Sequence, residues 1–222
     1  MGGARYDEVA ECYETTLAGD SAFAAMPRQT ALRLLGPPAG RLLDVGCGGG
    51  SHTAAFAAAG WSAVGIDVSG QQLRLARERG CDVVLGRAES LPFEDASFDA
   101  AVSMWAYTDI DDWSVALHEI RRVLRPGGRF VYLGVHPCFV GPHSTFVEGR
   151  GVPRLHAGYY RRTRRYDEAP GISPTGLRSR VGVVHRTLAE LLQSFLDAGL
   201  SLECVEEPGS REYPTALALR CR

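Results

Sequence analysis

The spacing of apolar residues along the 222-residue chain changes several times, and each change marks an expected element. Over residues 6–17 the apolar positions Tyr6, Val9, Ala10, Tyr13 and Leu17 recur about once per helical turn, which predicts an amphipathic helix. A second helix is expected over 21–35, stopped by Gly36-Pro37-Pro38. Beyond it, short apolar runs alternate with helical stretches. Residues 41–45 read as a strand ending in Gly46-Cys47-Gly48-Gly49-Gly50, and the alanine-rich 51–59 as the helix that follows. Further strands are expected at 62–66, 82–85, 98–103 and 129–135. Helices fall at 69–79, 112–123 and 187–198, with Ser69 and Thr187 as caps. Two last strands, 200–205 and 213–221, flank the turn Pro208-Gly209. Nearly continuous apolar strands separated by helices predict an α/β fold. Its seven-stranded sheet is mostly parallel, helix-covered on both faces, and carries an antiparallel strand at one edge. Over 136–184 the pattern gives way to Gly, Pro, Tyr and Arg, which reads as one long loop.

Composition narrows the function. An apolar fraction of 45% and a charged fraction of 23% are ordinary for a packed domain. A net charge of -2 argues against a nucleic-acid partner. The one basic run, Arg161-Arg162-Thr163-Arg164-Arg165, is offset by Asp167 and Glu168 and reads as a solvated loop; its rival role is to receive an acidic or phosphorylated substrate, or RNA. The six cysteines are scattered, without a C-x-x-C pair or a histidine at zinc spacing, so no metal is expected. No stretch approaches the ~20 apolar residues of a membrane span, and no basic start leads into an apolar leader. A cytoplasmic protein without membrane contact is the expectation.

The glycine-rich turn between a strand and a helix is the sharpest chemical feature. Glycines there admit backbone conformations closed to other residues and let a ligand approach closely, near a helix N-terminus. Asp67 follows the next strand, 21 positions after Gly46, where a carboxylate can hold a ribose diol. A phosphate-binding P-loop would need Gly-Lys-Ser/Thr, whereas the chain has Gly50-Ser51-His52. A dinucleotide fingerprint would need glycine where Ser51 stands.

Taken in order, four segments resemble the motifs of class I S-adenosylmethionine-dependent methyltransferases, in particular the branch that acts on small molecules. They are Asp44-Val45-Gly46-Cys47-Gly48-Gly49-Gly50; Asp67; Arg87-Ala88-Glu89-Ser90-Leu91-Pro92-Phe93 with Ser97-Phe98-Asp99; and Leu124-Arg125-Pro126-Gly127-Gly128. The resemblance implies a Rossmann-like doubly wound domain over 1–222. Its parts would be an N-terminal helical cap or lid (1–38), a cofactor-binding core (39–135), an acceptor-site loop (136–184) and a C-terminal helix and strand pair (185–222). It implies S-adenosylmethionine as cofactor, S-adenosylhomocysteine as product, no metal and a small-molecule acceptor methylated on oxygen, nitrogen or carbon, in a monomer or homodimer. The implied cofactor residues are Asp44, Gly46, Cys47, Gly48, Gly50, Asp67, Val68, Arg87, Ala88, Glu89, Ser103 and Met104, with Tyr6 closing over them. Arg87 departs from the pattern: many relatives carry an aspartate there for the adenine amino group, and a guanidinium has donors only.

Sulfonium chemistry needs alignment, exclusion of water and, for a protonated acceptor, a base. His136, directly after a strand, and His185, before the last helix, are the candidate bases, while His52 and His118 read as structural. Candidate acceptor contacts are Tyr13, Trp105, Tyr107, Phe139 and Tyr159, with Phe146 and Tyr160 beside them. Two rival functions stand open: a cofactor-binding partner subunit without catalysis, and a nicotinamide-dependent oxidoreductase.

Overall fold

Alternate residues of the central strands face opposite sides of the sheet, and the apolar residues divide accordingly into two layers. In β1 (Arg41–Val45), Leu42 packs into one layer while Leu43 and Val45 pack into the other. In β4 (Phe98–Met104) and β5 (Leu124–Val135), Val102, Met104, Val131 and Leu133 join Leu42, whereas Phe98, Ala101, Phe130 and Tyr132 join Leu43. The computed structural model describes residues 5–11, 21–146, 152–160, 181–209 and 212–222.

Among these residues the main sheet has seven strands in the order β3-β2-β1-β4-β5-β9-β8, where β2 is Ser62–Asp67, β3 Asp82–Leu85, β8 Leu202–Glu206 and β9 Ala216–Cys221. Strands β1 to β5 pair in parallel, and β9 runs antiparallel to both β5 and β8, giving the expected antiparallel pair at one edge. The order reverses between β1 and β4, so the crevice for a ligand opens at their carboxyl ends.

Helix α1 (Ser21–Leu35) covers one layer through Ala31, Leu34 and Leu35, and α2 (Ser51–Ala58) adds Phe56. The opposite layer is closed by α4 (Trp113–Val123) and α5 (Leu188–Asp197). Phe195 lies at its centre, stacked on Phe130 at 5.8 Å and edge-on to Tyr132 and Trp113 at 5.6 and 6.2 Å. Helix α3 (Gly70–Glu78) follows β2 and is capped by Ser69, as the sequence predicts. Helix α5 is capped by Thr187 in a complete capping box with Glu190.

Two expectations are corrected. Residues 6–9 form turns, with helix only at Ala10 and Glu11, because Tyr6 and Asp7 are drawn into polar contacts with distant loops. Within the stretch read as one loop, β6 (Ser144–Phe146) and β7 (Pro153–Leu155) pair as an antiparallel hairpin, whose three-residue strands are too short to show an alternation. The expected helical residues 12–17 and the Arg161 to Arg165 cluster lie outside the described residues.

Beneath the glycine turn, the Thr53 hydroxyl of α2 donates to the buried Asp44 carboxylate of β1 at 2.6 Å. Burial pushes Asp44 up to about 7, opposed by the Thr53 hydrogen bond and reinforced by the nearby Asp67.

Two outcomes follow. Phe195→Ala should cost about 3–5 kcal/mol in denaturant unfolding, because the cavity it leaves is walled by rigid rings. A carboxylate whose folded pKa is raised binds more protons folded than unfolded, so its effect is to lower stability as pH rises from about 4 to about 7. Wild type should therefore lose stability across that window relative to Asp44→Asn, and parallel stability-versus-pH curves would refute the assignment.

Candidate functional site

The turn after β1 takes its shape from glycine. Gly46 and Gly48 have φ of 75° and 51°, in the left-handed region that disfavours side chains. A Cβ at Gly46 would lie 2.4 Å from the Ala106 Cβ, so the bare backbone there is what keeps the turn close to the segment after β4. The Gly46 and Cys47 amides both donate to the Ile66 carbonyl, at 2.9 and 3.1 Å, which fixes the turn to the end of β2.

Asp67 closes this arrangement. Its Oδ2 accepts the Gly48 amide and its Oδ1 the Ser69 amide, each at 2.9 Å. Burial raises its pKa, opposed by those two amide bonds, with the nearby Asp109 adding to the rise. The carboxylate faces a cavity of about 490 Å³, a volume in the range of a small-molecule site.

Many of the residues expected around a cofactor meet at this cavity. Gly46, Gly48, Asp67, Val68, Arg87, Ala88, Glu89 and Met104 line it, together with Tyr6 and Trp105. Arg87 sits at the rim with its side chain 60% exposed, and it pairs at 3.0 Å with Glu89, whose side chain is only 15% exposed. The other expected cofactor residues support the site from below. Asp44 is buried beneath the turn, Cys47 is buried against β2 at Gly65, and Gly50 heads α2. The Ser103 hydroxyl donates to the Val45 carbonyl at 3.0 Å.

The expected acceptor residues disperse. Trp105 lines the cavity in a left-handed conformation, φ 61°, which is costly for an aromatic residue and marks a constrained wall. Tyr107 is in the core between Trp113 and Tyr132. Phe139 packs on His136 and Tyr213, Tyr159 packs on His143 and His185, and Tyr13 is outside the described residues. Neither candidate base lines the cavity. His136 accepts the Cys138 amide at Nδ1 and contacts Glu207 through Nε2 at 2.8 Å, so both ring nitrogens are engaged. His185 donates from Nε2 to the Tyr159 carbonyl, and burial lowers its pKa. His52 is likewise pushed down by burial, to about 4.

The cavity also holds residues that the sequence pattern did not single out. Asp109, Ile110 and Asp111 form one wall, and Arg5, Gln72, Leu85 and Ala106 also line the cavity. Arg186 pins that wall by donating to the carbonyls of Tyr107, Ile110 and Asp111 at 3.0–3.1 Å. An N-terminal strap crosses the opening: the Tyr6 hydroxyl donates to Asp109 at 3.1 Å and Arg5 pairs with Asp111 at 2.7 Å. The acidic residues after β4 are visible in the sequence, but only the fold brings Asp109 and Asp111 to the cavity. The bare turn and the inward carboxylate fit an adenosyl group, and among the described residues no cluster of three metal-ligating side chains occurs.

Comparison with known proteins agrees with this geometry. A family model described as a methyltransferase domain matches residues 43–132. The chain is similar to a demethylmenaquinone methyltransferase of Tropheryma whipplei, 35% identical over 159 residues, which are 68% of this chain and 66% of that protein. It is also similar to 24-methylenesterol C-methyltransferase 2 of Oryza sativa, 41% identical over 154 residues, covering 61% of this chain and 40% of that one. The matched segments thus span less than two thirds of these curated relatives. Among solved structures, an S-adenosylmethionine-dependent methyltransferase of Mesorhizobium loti superposes with a TM-score of 0.73 at 25% identity, over 90% of this chain and 99% of that one. Sheet order, glycine turn, inward carboxylate and these likenesses coincide: residues 43–132 match a methyltransferase domain, and the chain is similar to the class I S-adenosylmethionine-dependent methyltransferases.

Proposed function

We propose that this chain transfers a methyl group from S-adenosylmethionine to a small-molecule acceptor. The observation that carries the reading is the cavity of about 490 Å³ at the carboxyl ends of β1, β2 and β4, with Asp67 inside it and the glycine turn as its floor. When bound, the cofactor supplies a methyl on a cationic sulfonium, ready for in-line displacement without a metal, and leaves as S-adenosylhomocysteine.

The protein's part is binding, alignment and exclusion of water. Asp67 would accept the ribose hydroxyls, and Ala88 and Glu89 would flank the adenine, with Glu89 supplying the acceptor that Arg87 lacks. The carboxylates of Asp67, Glu89 and Asp109 make the cavity favourable to positive charge. Arg5 and Tyr6 of the strap would shield the reacting atoms from solvent. Asp109 is the titratable group we assign to the acceptor's proton, in preference to His136 and His185, which stand off the cavity.

An acceptor bounded by Tyr6, Trp105 and Ile110 would be flat or apolar. The names of the menaquinone and sterol relatives support that class. The described cysteines are free thiols, which supports a reducing compartment such as the cytoplasm. No helix among the described residues is long and apolar enough to cross a membrane.

Titration calorimetry with S-adenosylmethionine, S-adenosylhomocysteine and NAD tests the reading. Wild type should bind both sulfur nucleotides and not NAD. Asp67→Ala should weaken both by about a hundredfold, as two charge-assisted hydrogen bonds are lost. Binding of NAD, or of none of the three, would overturn the proposal.

A further inference from the structure

Ser69-Gly70-Gln71-Gln72 has the S-x-x-Q spelling of a capping box, in which the third helical residue's side chain reaches back to the cap's amide. The chain completes such a box at α5: Thr187 Oγ1 accepts the Glu190 amide at 3.2 Å, and Glu190 Oε2 accepts the Thr187 amide at 3.0 Å. At α3 only half of it forms. Ser69 Oγ accepts the Gln72 amide at 3.2 Å, but the Ser69 amide is already donated to Asp67 Oδ1 at 2.9 Å. Asp67 has taken the partner that Gln72 would otherwise use.

The side-chain amide of Gln72 is therefore displaced from its local role. Gln72 is 1% exposed, and neither its Nε2 nor its Oε1 has a hydrogen-bond partner among the described residues. Buried polar groups are overwhelmingly paired, so an amide with both ends open needs an explanation. Gln72 lines the same cavity as Asp67. Its Oε1 lies 3.7 Å from where a Cβ of Gly48 would stand, so it approaches the turn at a residue that is itself bound to Asp67.

Resting on the adenosyl-cofactor reading above, we propose that Gln72 recognises the cofactor's ribose together with Asp67. A carboxylate only accepts hydrogen bonds, so hydroxyls that donate to Asp67 keep oxygen lone pairs that call for a donor. The Gln72 amide supplies that donor, and its carbonyl offers a further acceptor. The half-made cap thus exchanges a local helix contact for a ligand contact.

Two variants and two ligands test this. Gln72→Leu removes the amide at similar size, and Gln72→Met does so should Leu disturb packing. The ligands are S-adenosylhomocysteine and 5′-methylthioadenosine, which shares the adenosine but lacks the amino-acid end. Calorimetry should show both ligands weakened about tenfold by either variant. The ligand-free variants should unfold at the wild-type temperature or above, since an unpaired buried amide has been removed. Unchanged affinity would overturn the proposal. Loss confined to S-adenosylhomocysteine would move Gln72 to the amino-acid end and overturn the ribose assignment. A melting temperature several degrees lower in both ligand-free variants would make the residue structural and also overturn it. If wild type itself binds neither ligand, the cofactor reading fails first and takes this one with it.

Discussion

The two backbone hydrogen bonds accepted by Asp67, from Gly48 and Ser69 at 2.9 Å each, hold the site together. One comes from the turn after β1 and the other from the cap of α3, so a single carboxylate fixes two loops that lead from adjacent parallel strands. The Ile66 carbonyl makes the same connection from the other direction by accepting the Gly46 and Cys47 amides. Desolvation works against the charge of Asp67, and the backbone donors work for it. Moving either loop would leave the carboxylate buried with fewer partners, which is costly. This constraint holds the turn close against Ala106 and diverts the Ser69 amide from Gln72.

The opposite wall depends on residues remote in sequence. Arg186, in front of α5, binds three carbonyls of the segment after β4 and sets the path of Tyr107 to Asp111. That path follows Trp105, whose left-handed backbone donates its amide to the Leu133 carbonyl at 2.8 Å, and it brings Asp109 to the cavity, where Tyr6 reaches it from the N-terminal segment. The wall at Gly46, Gly48 and Asp67 is thus built from short-range turns after neighbouring strands. The wall at Asp109 to Asp111 is built from three distant segments. Such a division lets one wall stay fixed by the sheet while the other varies with its loops.

The histidines show why residue type alone misleads at such a site. His136 follows β5 at the carboxyl edge, as a base could, but the chain leaves that strand toward the β8–β9 connection and Glu207. His185 and His143 lie against Tyr159, in a separate aromatic group. On the cavity wall after β4 the titratable groups are Asp109 and Asp111, with Arg5 and Tyr6 beside them, and no histidine.

The sheet and the glycine turn follow from local pattern. Apolar periodicity, glycine stops and the caps Ser69 and Thr187 act over a few residues, so most strands and helices were legible to within a residue or two. By contrast, β5 begins five residues earlier than expected, at Leu124, and β9 three residues later, at Ala216. The spacing of Gly46 and Asp67 was equally legible, because each lies at the end of a strand that the pattern defines. Tertiary structure alone decided which side chains share the cavity. Tyr107 and Trp105 are two positions apart, yet one is core and the other is wall, since the turn after β4 is set by Arg186 and not by its own pattern. The short β6–β7 hairpin and the strap over the opening were also beyond local reading, because their hydrogen-bond partners lie far along the chain or in strands too brief to carry a period. Local spacing fixes elements through the backbone's own geometry, whereas a binding wall is selected by contacts between segments that only folding brings together.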